Sequence, residues 1–131
     1  MPIDLTQYYP DWIKEYKRCE QYLEAALEYA HGAYDIETIF EGLMDGSLEL
    51  WPSENAGAVT QIVEYPRKKI LHIFLAGGDI EELKVLYTHV ELYARQIGCQ
   101  AITLTGRPGW AKSFLTEIDF KVKEVQMYKE L

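Results

Sequence analysis

The residues of this chain best placed to do chemistry are Gly77 and Gly78, with Leu75 and Ala76 before them and Asp79 after. They join an apolar run over residues 70–75 to an amphipathic stretch over 80–97. A strand that turns through glycines into a helix presents free backbone N–H groups and the positive end of the helix dipole, a combination suited to an anion. The next side chains oppose that use. Asp79 and Glu82 have the spacing of a capping box, in which carboxylates occupy the N–H groups an anion would need. Glu81 and Glu82 add negative charge where the dipole would draw a phosphate. The junction is expected to be a self-capped helix start, with a phosphate-binding loop as the alternative.

Other groups invite chemistry less specifically. Glu49 and Glu64 lie on expected strands and are the candidate general bases. Arg107, Trp110 and Lys112 form a small basic-aromatic cluster near the end of a second apolar strand. Open α/β sheets bind ligands on that side, and Arg107 suits a phosphate or a carboxylate. His31, His72 and His89 fall on three separate elements without ligand spacing. His72, inside the most apolar strand, is expected to pack in the core with a hydrogen bond to backbone. No metal motif, Walker loop, Ser-His-Asp set or activated-cysteine signature occurs. Cys19 and Cys99 are far apart and read as small core residues rather than a disulfide.

The elements that position these groups follow from periodicity. A first helix is expected from Pro10 or Asp11 to Gly32, with Trp12, Tyr16, Cys19, Leu23, Ala26, Leu27 and Ala30 along one stripe. Asp35 caps a second helix that buries Ile36, Ile39, Phe40 and Leu43 and stops at Asp45-Gly46. Strands are expected at 48–51, 57–65 and 69–75, the last two joined as a hairpin by Pro66-Arg67-Lys68. A helix over 80–97 buries Leu83, Tyr87, Val90, Ala94 and Ile97, with Gly98 as its C′ residue. A strand over 99–105, a short helix over 108–118 and a last strand over 121–128, anchored by Val122 and Val125, complete the order ααβββαβαβ.

That order resembles the GNAT superfamily of N-acetyltransferases, and the resemblance covers most of the chain. Ala94-Arg95-Gln96-Ile97-Gly98-Cys99 is similar to the end of that family's long helix. The run from Phe114 through Asp119-Phe120 to Val122 resembles its closing helix, Gly-Phe and strand, with Asp119 at the glycine. Gly106-Arg107-Pro108-Gly109-Trp110 is similar to a turn in short GNAT-like proteins of tailed bacteriophages and prophages. The resemblance implies a single α/β (α+β) domain over 1–131, with a mixed, mostly antiparallel twisted sheet and helices on both faces. It also implies acetyl-CoA as cofactor, held between the strands 70–75 and 101–105, with Leu75, Ala76, Gly77, Gly78, Asp79, Arg107 and Trp110 as binding residues.

Two departures bear on activity. The family's loop carries Arg or Gln, two residues, Gly, one residue, then Gly or Ala, whereas Gly77-Gly78-Asp79-Ile80-Glu81-Glu82 lacks the basic residue and the later glycine. The family's general-acid tyrosine falls at Leu115, which has no proton to give. The expectation is therefore a GNAT-fold protein with a degenerate acyl-CoA motif that acts through protein contacts, weakly or not catalytic. The alternative is an acyl-CoA-dependent N-acetyltransferase with a non-standard pyrophosphate loop.

Composition sets the outer bounds. A chain of 131 residues with 48% apolar and 26% charged residues fits one soluble core. A net charge of −8 disfavours nucleic acid and anionic membranes as partners, and leaves a protein partner or a homodimer. The tyrosine-rich first helix, with Tyr8, Tyr9, Tyr16, Tyr22 and Tyr29, offers either a dimer surface or a cover for the sheet. Without an apolar leader or a membrane-length run, the expected location is the cytoplasm of a bacterial or phage-infected cell.

Overall fold

The computed structural model describes residues 5–28, 32–106, 109–110 and 113–131, and among them the side chains from residue 13 onward. Helix α1 (Leu5–Leu27) and helix α2 (Ile36–Asp45) come first, followed by strands β1 (Glu49–Pro52), β2 (Ala56–Glu64) and β3 (Lys69–Gly78). Helix α3 (Ile80–Gln96), strand β4 (Ala101–Leu104) and a 3-10 helix (Phe114–Ile118) follow.

The sheet has the order β1-β2-β3-β4. β1, β2 and β3 form an antiparallel meander, and β4 joins β3 in parallel through α3. This is the mixed, mostly antiparallel sheet expected from the sequence. α1 packs Tyr16, Cys19, Leu23 and Ala26 with Ile39 and Leu43 of α2 against Val59 and Leu75 on one face. α3 packs Val90 and Ala94 against Leu71 and Ile73 on the other, and Leu83 and Leu86 against Ala56. Each helix therefore buries one stripe and leaves the opposite one wet.

Local chemistry explains most boundaries. Asp35 accepts the Thr38 N–H at 2.9 Å while the Thr38 hydroxyl serves the Asp35 N–H at 3.0 Å, a reciprocal cap for α2. Gly98, at φ 81°, is the left-handed residue that ends α3, and the Cys99 N–H reaches back to the Ala94 carbonyl at 2.9 Å. α1 begins at Leu5, before the expected start at Pro10, and ends at Leu27, short of Gly32.

Two expectations are corrected. Residues 121–131 pair with no strand and are exposed throughout, so the closing strand over 121–128 is not formed. Val122 and Val125 are too sparse an apolar face to hold a strand on the sheet by burial alone. The short helix over 108–118 is a 3-10 helix at 114–118, capped by the Ser113 side chain on the Leu115 N–H; Pro108 lies outside the described residues.

Candidate functional site

β3 and β4 run together only briefly. Their register pairs Ile70 with Ala101 through to Ile73 with Leu104, and the last link is Thr105 N–H to the Ile73 carbonyl at 3.4 Å. Next to that point the β2–β3 register slips: Thr60 faces Ile73 and Val59 faces Leu75, so Phe74 is the extra residue of a bulge. β3 then continues to Gly78 with β2 alone beside it among the described residues. The parallel strands thus part at their C-terminal ends, beside the start of α3, where an open α/β sheet takes a ligand.

The residues expected to form a phosphate loop there are committed elsewhere. Ala76, Gly77 and Gly78 belong to β3 and face Ala58, Gly57 and Ala56 of β2, so they extend the strand rather than form a turn. The Leu75 side chain lies in the core under α1. A Cβ at Gly77 would stand 2.7 Å from the Tyr22 carbonyl oxygen of α1. A Cβ at Gly78, φ 108°, would stand 2.4 Å from the Asn55 carbonyl oxygen. Close backbone packing alone accounts for both glycines.

The helix start is closed by carboxylates. Asp79 is the N-cap, and its side chain accepts the Glu82 N–H at 3.0 Å. The other half of the expected capping box is absent, because the Asp79 N–H goes to the Asn55 carbonyl at 2.8 Å. Glu82 instead reaches across to the β1–β2 connection, where one carboxylate oxygen accepts from the Ser53 hydroxyl and from the Asn55 N–H at 2.7 Å. These donors, Ser53 first and then Asn55, hold the Glu82 carboxyl below its ordinary pKa, so it is an anion at neutral pH.

Ile73, Leu86, Leu104, Trp110, Phe114 and Leu115 line a half-open apolar pocket beneath α3. Trp110 also lies over Gly106, where an added Cβ would stand 2.8 Å from the ring. Trp110 therefore packs against the core formed by Ala56, Leu83 and Leu86, and Leu115 is buried.

The remaining candidates are scattered. Glu49, on β1, accepts the Thr60 hydroxyl at 2.8 Å, and Thr60 in turn accepts the Trp51 indole N–H at 2.8 Å. Burial raises the Glu49 carboxyl pKa against the opposing effect of Thr60. Glu64 is exposed beside Lys69 at the hairpin end of the sheet. That is the full length of β3 from Gly78, about 30 Å at 3.3 Å per residue. Arg107 lies outside the described residues.

His72 is held differently from the backbone-bonded histidine expected. Its Nδ1 lies 2.7 Å from the Thr103 hydroxyl and its Nε2 lies 3.1 Å from that of Thr105, both across the β3–β4 pair. Burial lowers its pKa, which favours the neutral ring. Ser53, Asn55, Thr103 and Thr105 are the participants sequence reasoning missed. For the two threonines a signal existed: in a parallel pair, residues alternating at 103 and 105 flank a neighbour's side chain. Among the described residues no group of three or more His, Cys, Asp and Glu side chains is placed to hold a metal ion.

No protein-family model and no curated protein matches the sequence. Solved structures do match. An aminoglycoside acetyltransferase from an uncultured soil metagenomic sample superposes with a TM-score of 0.61 at 15% identity, over 93% of this chain and 89% of that one. Glucosamine-6-phosphate N-acetyltransferase from Arabidopsis thaliana gives 0.58 at 18% identity over 72% and 76%. An acetyltransferase from Trypanosoma brucei gives 0.56 at 17% identity over 73% and 78%.

The fold is GNAT-like.

Within a GNAT-like fold, the parting of β3 and β4 is the cleft that the sequence resemblance assigns to acyl-CoA. The residues present do not fit that group. The N–H groups of Asp79 and Glu82 already have protein acceptors. The carboxylates of Asp79, Glu81 and Glu82 crowd the helix start. The pocket beneath α3 is lined, among the described residues, by aliphatic and aromatic side chains and offers no cation to a pyrophosphate.

Proposed function

We propose that this chain is a GNAT-fold protein whose acyl-CoA cleft is closed and which works through protein contacts rather than acyl transfer. The observation that carries this reading is Glu82. Its carboxylate bridges the first turn of α3 to Ser53 and Asn55, so the anion at the helix start is supplied by the protein itself. Leu115, in place of a proton donor, and the packed Trp110 and Phe114 side chains point the same way.

The resemblance of the Gly106–Trp110 turn to short phage and prophage proteins supports an accessory role in a phage-infected or lysogenic bacterium, in the cytoplasm. Among the described residues no helix is long and apolar enough to cross a membrane. The test is amide NMR of the protein titrated with acetyl-CoA. The Gly77–Glu82 amides are expected to stay in place; saturable shifts confined to them would reject a closed cleft.

A second reading rests on one observation, the open outer edge of β3 beyond Ile73. If the 3-10 segment moved away, that edge would face a cleft with His72 one residue before the parting. An N-acyltransferase built this way would use His72, neutral and hydroxyl-bonded, as its proton acceptor. Thiol release from acetyl-CoA in the presence of a mixture of amines, abolished by His72→Gln, would favour it.

A further inference from the structure

We infer that the outer face of α3 is a docking surface for a second copy of this chain, with the two α3 helices side by side and antiparallel. The inference holds whether or not the cleft takes acyl-CoA.

The spacing along α3 carries it. Leu83, Leu86, Val90 and Ala94 form the buried stripe. On the opposite side stand Glu81, Val85, Thr88, Leu92 and Arg95, which recur at steps of four, three, four and three. That is the spacing of a seam between two helices. Val85 is 59% exposed and Leu92 55%, so both apolar side chains of this stripe stand mostly in water within the single chain. Among the described residues α3 is the one long helix on its side of the sheet, since α1 and α2 pack on the other. Its outer stripe therefore faces away from the sheet and toward any molecule that approaches from that side.

Charge selects the occupant and its orientation. The stripe begins with an acid and ends with a base. Glu81 and Arg95 lie seven residues to either side of Thr88, and Val85 and Leu92 lie three before it and four after. A helix rises about 1.5 Å per residue. A second copy running antiparallel about Thr88 therefore brings its Leu92 level with Val85 to within one residue, and its Arg95 level with Glu81. Each apolar pair and each ion pair is then made twice, as a twofold interface requires.

The two charged side chains are available for this. Glu81 is 74% exposed and Arg95 76%. Their contacts within the chain, Glu81 with Lys84 at 3.1 Å and Arg95 with Glu91 at 3.7 Å, are surface ion pairs of small worth. Antiparallel helices also set opposite dipole ends beside each other. A parallel pair would place Glu81 against Glu81 and Arg95 against Arg95, with like charges facing.

Sedimentation equilibrium of the full chain from micromolar to submillimolar concentration tests this. Each chain carries a net charge of −8, so the salt is held at about 0.15 M, where repulsion beyond about 8 Å is screened. The expected result is a mass that rises from one chain to two with concentration for the native protein, and stays at one chain for Val85→Gln/Leu92→Gln. Both positions are exposed in the single chain, so the substitutions leave its core intact, and an unchanged far-UV spectrum verifies this. Charge reversal reads the orientation. Glu81→Arg and Arg95→Glu should each weaken association by at least about tenfold, and the two together should restore most of it. A single-chain mass for the native protein at every concentration overturns the inference. So does a dimer that survives Val85→Gln/Leu92→Gln, or a pair of reversals whose effects add instead of cancelling.

Discussion

The Glu82 carboxylate accepts the Asn55 backbone N–H at 2.7 Å, linking residues 27 apart in sequence. The same oxygen takes the Ser53 hydroxyl, so one side chain fastens the first turn of α3 to the β1–β2 connection. Glu82→Gln should weaken this fastening and lower the denaturation midpoint. The pH dependence has a definite sign. The folded pKa lies below the ordinary glutamate value, so the stabilisation is complete above the unfolded pKa of about 4.3 and drains as pH falls through the folded value. Urea unfolding of both proteins across the acid range should show a gap that narrows as the pH drops. A gap independent of pH would mean that the charge of Glu82 is not what holds the loop.

Gly77→Ala should destabilise without touching any ligand. Its Cβ would meet the Tyr22 carbonyl at 2.7 Å, and a helix backbone cannot swing aside as a side chain can. Overpacking of this kind costs about 1–3 kcal/mol. Gly78→Ala adds a left-handed φ of 108° to a similar clash and should cost at least as much. Denaturant midpoints measure both. Wild-type stability in either variant would return these glycines to a role in binding.

How much of this arrangement the sequence reveals depends on range. The Asp79 cap, the Asp35 cap, the Gly98 stop and the buried stripe of α1 are contacts within a few residues, and local pattern is enough to find them. The partners of Glu82 are not local. A capping box at Asp79 and Glu82 is the nearest explanation of that spacing, but the fold brings Asn55 closer: its carbonyl accepts the Asp79 N–H and its own N–H donates to the Glu82 carboxylate. Gly77-Gly78 looks like a turn in one dimension and is the end of a strand because Gly57 and Ala56 lie opposite. The expected last strand rests on Val122 and Val125, but both side chains are exposed and bury too little apolar surface to hold a strand on the sheet.

His72 should titrate below the ordinary histidine range. Burial disfavours its charged form, so folding gains stability from the neutral ring. That contribution is complete above the unfolded pKa of about 6.5 and falls away as pH drops through the lower folded value. Imidazole proton shifts followed from neutral to acid pH measure it. A midpoint for His72 at or above the ordinary value of about 6.5 would mean that the ring is solvated and not held by Thr103 and Thr105.

The most direct measurement is calorimetric titration of the protein with acetyl-CoA and with CoA at low salt, alongside a folded Glu81→Gln/Glu82→Gln variant. No binding heat is predicted for the native protein, because Asp79 caps the Glu82 N–H and the carboxylates of Asp79, Glu81 and Glu82 repel a phosphate at the helix start. Binding gained in the variant would show that the chain's own carboxylates close the cleft. Micromolar binding by the native protein would contradict a closed cleft, and would make this chain an acyl-CoA protein whose phosphate loop opens on binding.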